Sequence, residues 1–163
     1  MTLKQVQSVG WLKDISDNFA DLGPIGTNVG LGNLRVARFE FDMATVANRS
    51  IGAHGTGVTL PIHAIVVGGF IDVNTKFDSD ATDAGTIAIK VEGANDIISA
   101  AAVSGAPYST VGRKAIVPKA NTPESTSVKC TAAREITCTV AVEAMLSGKL
   151  TGYLYYVEGI ASA

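Results

Sequence analysis

Few residues of this 163-residue chain have the type and spacing to do chemistry. The two histidines are His54, in the polar stretch AHGTG, and His63, at the start of an apolar run. Nucleophilic catalysis needs a Ser or Cys against such a ring and a carboxylate to orient it. No Ser lies in a nucleophile-elbow pattern, and nothing singles out a catalytic pair among the 15 acidic residues. Cys130 and Cys138 fit no metal-site spacing and are too few for a disulfide framework. They read as two reduced thiols acting as small apolar residues, with a Cys130–Cys138 disulfide as the alternative.

Asp78, Asp80 and Asp83 in DSDATD place three carboxylates where a hard cation could be held through oxygen. The run lacks the Gly and the distal Glu of an EF-hand loop, and Asp, Ser and Thr are also the usual residues of a solvated turn. Gly23, Gly26, Gly30 and Gly32 form no GxGxxG before a helix and no GK[ST]. A phosphate cradle is therefore not expected. Tyr153 and Tyr155 share one face of the last apolar segment. An exposed Tyr pair stacks on sugar or builds a protein interface, unless that strand is covered on both sides. No cofactor is implied, and the chain is not expected to be an enzyme.

The elements that would position these groups are strands. Val, Ile and Thr number 17, 13 and 15, against 9 Leu. β-branched side chains suit a pleated sheet better than a helix. Hydrophobic residues make up 47% and charged residues 17%, which excludes a disordered chain. The net charge of −2 provides no basic face for direct nucleic-acid binding. No apolar run has the roughly 20 residues of a membrane helix, and the first eleven residues lack the apolar stretch of a signal peptide. Synthesis in a cytoplasm is expected.

The chain divides at about residue 33. Residues 1–33 form an extended or partly helical N-terminal arm. Trp11, Leu12, Ile15, Phe19 and Leu22 fall near helical spacing, and a glycine-rich stretch follows. Trp11, Leu12, Ile15 and Phe19 are the candidate partner-binding residues. Trp11 would either anchor in a partner's pocket or cover one end of its own core.

Residues 34–163 read as one antiparallel β-sandwich of about eight strands, jelly-roll-like or another Greek key. Arg35–Met43 alternates, with Ala37, Phe39, Phe41 and Met43 inward. Residues 45–57 read as a loop with at most a short strand at its end. Residues 61–77 read as a strand covered on both faces, with Ile65, Val67, Ile71 and Val73 opposite Ala64, Val66 and Phe70. Gly68 and Gly69 suggest a bulge or bend within it. Further strands are expected at Thr86–Glu92, Asp96–Val103, Lys114–Val117, Ser127–Thr131, Glu135–Glu143 and Lys149–Glu158. Ile136, Cys138, Val140 and Val142 should share a face, with a turn at Ala144–Gly148.

From about Arg49 to Val157 the chain resembles a group of tailed-bacteriophage virion proteins. The residues that carry the resemblance are SIGAHGTGVTLPIHAIVVGGFIDVNTKF, TIAIKVE and KCTAAREITCTVAVEAMLSGKLTGYLYYVE. It covers about two thirds of the chain and leaves the N-terminal arm unmatched. The resemblance implies a β-sandwich or barrel and a virion component, specifically a head decoration (cement) protein on the capsid surface. It implies the major capsid protein as partner and a homo-oligomer, with a trimer favoured. It brings no catalytic or cofactor residue. Other readings are a tail, neck or fibre-base component, and a carbohydrate-binding module that uses Tyr153, Tyr155 or Trp11.

Overall fold

The computed structural model describes residues 34–118 and 127–158. The N-terminal arm, with Trp11, Leu12, Ile15 and Phe19, lies outside the described residues. Among the described residues the chain is all-β, with nine strands and one 3-10 turn at Val46–Arg49. The strands are β1 (Leu34–Asp42), β2 (Gly52–Leu60), β3 (Ala64–Ser79), β4 (Thr86–Lys90), β5 (Ile98–Ala102), β6 (Gly112–Ile116), β7 (Val128–Lys129), β8 (Arg134–Ala141) and β9 (Met145–Glu158). No helix here is long and apolar enough to cross a membrane.

The first sheet runs β1-β9-β3-β6, with β7 also on β3, and the second runs β2-β8-β4-β5. Every pairing is antiparallel. The chain crosses between sheets from β1 to β2, β2 to β3, β3 to β4, β5 to β6, β7 to β8 and β8 to β9. The first and last strands lie side by side, and the two sheets interlock as a jelly roll. This selects one of the strand orders that the alternation of the sequence leaves open.

The core lies between the sheets. Phe39, Phe41, Met43, Ile71, Val73, Phe77, Leu150 and Leu154 meet Leu60, Ile87, Ile89, Ile136, Cys138 and Val140 there. In β1, β4 and β8 these buried residues follow the expected alternation. Cys130 and Cys138 are free thiols and are buried. Burial pushes the Cys130 thiol up to about 11, which keeps it protonated and a poor nucleophile.

Four local expectations are corrected. The 61–77 segment is not covered on both faces. The β3–β9 register shifts between Val66 and Gly68, and this bulge leaves Val67 54% exposed. Beyond it the parity inverts, so Ala64, Val66, Ile71 and Val73 are buried while Phe70 faces outward. Second, residues 52–60 form a full strand, β2. It pairs with β8 through backbone bonds, and GAHGTGVTL carries too few apolar side chains to advertise them. Third, Val142 leaves the inner face, because β8 ends at Ala141 and Val142 turns with φ 72°. It is 64% exposed. Fourth, the expected turn at Ala144–Gly148 is the start of β9, where Met145 is buried against Ser79 of β3.

One core group is mismatched. Tyr108 is fully buried beside Phe77, and among the described residues its hydroxyl has no hydrogen-bond partner. An unmade bond of this sort costs about 1–3 kcal/mol. Tyr108→Phe keeps the ring and is expected to raise stability by about 1 kcal/mol, read from the urea midpoint. A fall in the midpoint would mean that the hydroxyl does have a partner.

Candidate interaction surface

The outer face of the first sheet is built in rows by the strand register. Val36 of β1, Tyr155 of β9 and Gly68 of β3 form one row. Arg38, Tyr153, Phe70 and Ala115 of β6 form the next. Glu40, Thr151, Asp72 and Arg113 form a third. Asp42 and Lys149 lie at the far end.

The centre of this face is aromatic. Phe70 stacks on Tyr153 with ring centres 4.7 Å apart and 24° between planes. Tyr155 meets Phe70 edge-on at 6.2 Å. From the opposite neighbouring strand, the Arg113 guanidinium lies over the Phe70 ring at 5.1 Å. Arg38 hydrogen-bonds the Tyr153 and Glu40 side chains, which together hold its pKa above the ordinary value. Lys149 pairs with Asp42 at 3.0 Å and Glu40 at 3.6 Å. These pairs are solvent-exposed and worth little stability, so their main effect is to fix side-chain directions. Val36 and Val117 are each more than half exposed at the two flanks.

Of this surface, Tyr153 and Tyr155 are visible in the sequence. Phe70, Arg38 and Arg113 are not, because only the bulge at Val67 and the strand order bring them together. The Phe70 ring offers no free face for sugar stacking. Tyr153 and Arg113 already cover the Phe70 ring from its two neighbouring strands.

The other candidate groups serve local structure. His54 Nε2 bonds the Ser50 carbonyl oxygen at 2.8 Å. His63 turns the chain between β2 and β3 with φ 68°. In the DSDATD turn, Asp83 accepts the Ser79 N–H at 3.1 Å and Asp80 accepts the Ala81 N–H at 2.9 Å. Asp83 also hydrogen-bonds Asp78, which raises the Asp78 pKa. Glu143 accepts the Ser79 hydroxyl at 2.9 Å and the Ala84 N–H at 3.1 Å, and bonds the Thr82 hydroxyl. These carboxylates act as turn acceptors, and among the described residues no cluster of three or more possible metal ligands occurs.

A separate ionic clamp ties two loops of the second sheet. Glu92 accepts from Arg134 Nε and Nη2 at 2.8 and 3.0 Å, and from the Thr131 N–H and hydroxyl. Arg134, then Thr131, holds the Glu92 carboxyl down at about 2, against an ordinary 4.5. A depressed carboxyl stabilises the fold above its unfolded-state pKa and loses that effect as pH falls through the folded value. The clamp's contribution is therefore complete above about 4.5 and fades towards about 2. Glu92→Gln is expected to flatten this acid limb of the stability curve, measured by denaturant midpoints across that window. An unchanged pH profile would show that the clamp is inert.

No protein-family model and no curated protein matches this chain. Solved structures do. A chain of the cyanophage Pam1 capsid asymmetric unit is 20% identical, with 78% of this chain and 86% of that chain covered and a TM-score of 0.56. A chain of the acid-stable capsid of Helicobacter pylori bacteriophage KHP30 is 14% identical over 76% and 86%, with a TM-score of 0.51. One from the capsid of Ralstonia phage GP4 is 19% identical over 80% and 87%, with a TM-score of 0.50. At these identities the likeness is one of fold, and this chain shares its β-sandwich with chains found in three bacteriophage capsids.

Proposed function

We propose that this chain is a structural protein of a tailed-bacteriophage virion, a head decoration protein. It binds the outer capsid surface and stabilises contacts between major capsid proteins. The observation that carries this reading is the fold likeness to chains of three phage capsids, which spans most of this chain and most of each of those. The sequence resemblance over Arg49–Val157 supports it independently.

The physical logic is linkage. A protein that binds only the assembled lattice stabilises that lattice by mass action, and several copies joined together gain by avidity. In this reading Trp11, Leu12, Ile15 and Phe19 anchor the N-terminal arm on the major capsid protein, and the protein works as a homo-oligomer, a trimer by the resemblance.

The test is to mix the purified chain with expanded shells of its own phage's major capsid protein. Saturation at a fixed ratio, with shells that resist heat better, is the expected result. Trp11→Ala together with Phe19→Ala should weaken binding at least tenfold, since buried aromatic anchors dominate interfaces. A few copies per particle, confined to the neck or tail in micrographs, would overturn the decoration role.

A further inference from the structure

We propose that the outer face of the first sheet is a self-pairing surface, on which a second copy of this chain docks. The two-fold axis runs parallel to the strands, between β9 and β3. This pairing rests on the register of the sheet and not on the function proposed above.

A rotation about that axis keeps each row of side chains at its own height and exchanges β1 with β6 and β9 with β3. The exchange matches the rows with themselves. In one row it lays Glu40 over Arg113 of the second copy. In the next it lays Tyr153 over Phe70, and the long Arg38 over the small Ala115. In the first it lays Tyr155 over Gly68. Glu40 meets the opposite charge of Arg113 while Asp72 faces Thr151, ring meets ring, and each of two large side chains meets a small one. A two-fold axis running across the strands instead sets the charged row of Glu40, Asp72 and Arg113 against the row of Val36 and Tyr155, which leaves charges facing apolar groups.

Three further observations point the same way. Among the described residues no carboxylate pairs with Arg113, whose contact is the Phe70 ring. A Cβ added at Gly68 meets nothing within 4 Å, so space lies open where the partner's Tyr155 would enter. Four strands about 4.8 Å apart, with rows about 6.7 Å apart, give a face of about 500 Å² in projection. Upright side chains add to this, bringing it towards the roughly 800 Å² per partner of a standard interface. Self-complementary patches of this sort form closed two-fold dimers, and sheets stack with their strands aligned.

The experiment measures the mass of the full chain in solution by light scattering across its soluble concentration range. A species of even copy number is expected, a dimer or, where the trimer of the proposed function also forms, a hexamer in which this face joins two trimers. Gly68→Arg fills the open space without disturbing the monomer and should halve the mass. Glu40→Lys and Arg113→Glu should each do the same, because each sets like charges face to face. An equimolar mixture of those two variants should recover the dimer, because both of its charge pairs are again opposite. Recovery on mixing shows that neither variant is misfolded. A wild-type monomer at every concentration, a trimer indifferent to all three substitutions, or a mixture that stays at half mass would overturn the proposal. So would an oligomer lost on deletion of residues 1–33 but kept in Gly68→Arg, since the contact would then lie in the arm.

Discussion

Gly152→Val is expected to cost the domain about 3 kcal/mol or more, at the upper end of what overpacking does to a core. Gly152 lies in β9, the strand between β1 and β3, and is opposite Phe39 on one side and Ile71 on the other. Its neighbours of the same parity, Leu150 and Leu154, are fully buried. The Phe39 ring occupies the place where a Cβ at residue 152 would go. Phe39 is 1% exposed and cannot swing into solvent. A branched side chain must therefore displace the ring or separate the strands. Against a usual total of about 5–15 kcal/mol, such a loss moves the urea midpoint strongly. Gly93→Ala is the control, because a Cβ there meets nothing within 4 Å. Shrinking the ring in the Phe39→Leu/Gly152→Val double variant should recover part of the loss, as contacting residues couple. A Gly152→Val midpoint equal to that of the parent would mean that the ring does not fill this space.

Asp96→Ala is expected to cost about 3 kcal/mol, because it strips a buried charged acceptor from several donors at once. Asp96 is 2% exposed. Its Oδ1 accepts the Val91 N–H at 2.9 Å, and its Oδ2 accepts those of Glu92 and Gly93 at 2.8 and 2.7 Å. One side chain thus satisfies three consecutive amides in the link from β4 to β5. Asp96→Asn retains one acceptor oxygen and should fall between parent and Ala. Hydrogen exchange at residues 91–93 should rise by more than tenfold in Asp96→Ala, ahead of global unfolding. Unchanged protection at those amides would show that they have other partners.

How far the fold could be read from the sequence depended on what each segment buries. β1, β4 and β8 were legible because Phe39, Phe41, Ile87, Ile89, Ile136 and Val140 alternate with polar residues against a single core. β2 was not, since its place is set by backbone bonds to β8 and its residues are mostly Gly, Thr and Ala. The apolar pattern of β3 gives the wrong parity past one residue, because a bulge at Val67 inverts every side chain beyond it. Val142 continues the apolar alternation of β8 by type, and its positive φ breaks that alternation. The sequence does not distinguish jelly roll from other Greek keys, for alternation reports which face is buried and not which strand lies beside which.

The surface was half legible for the same reason. Tyr153 and Tyr155 lie two apart on one strand and announce a shared face. Phe70 and Arg113 join them only through cross-strand register. Asp96 read as the first residue of a strand, and its role as an acceptor for three amides follows from a loop geometry that no spacing rule encodes.

The pairing of β1 with β9 has a consequence for how the protein is made. Arg35 and Glu158 form an ion pair across 123 residues of chain. Among the described residues β1 has one sheet neighbour, β9, which is made after all the other strands. At about 5–20 residues per second, Phe39 and Phe41 wait on the order of ten seconds for the strand that covers them. Closing so long a loop also slows folding after release. The nascent chain therefore exposes an apolar strand edge until β9 emerges, and truncated products ending before Met145 should be caught by chaperones or proteases instead of accumulating as folded fragments.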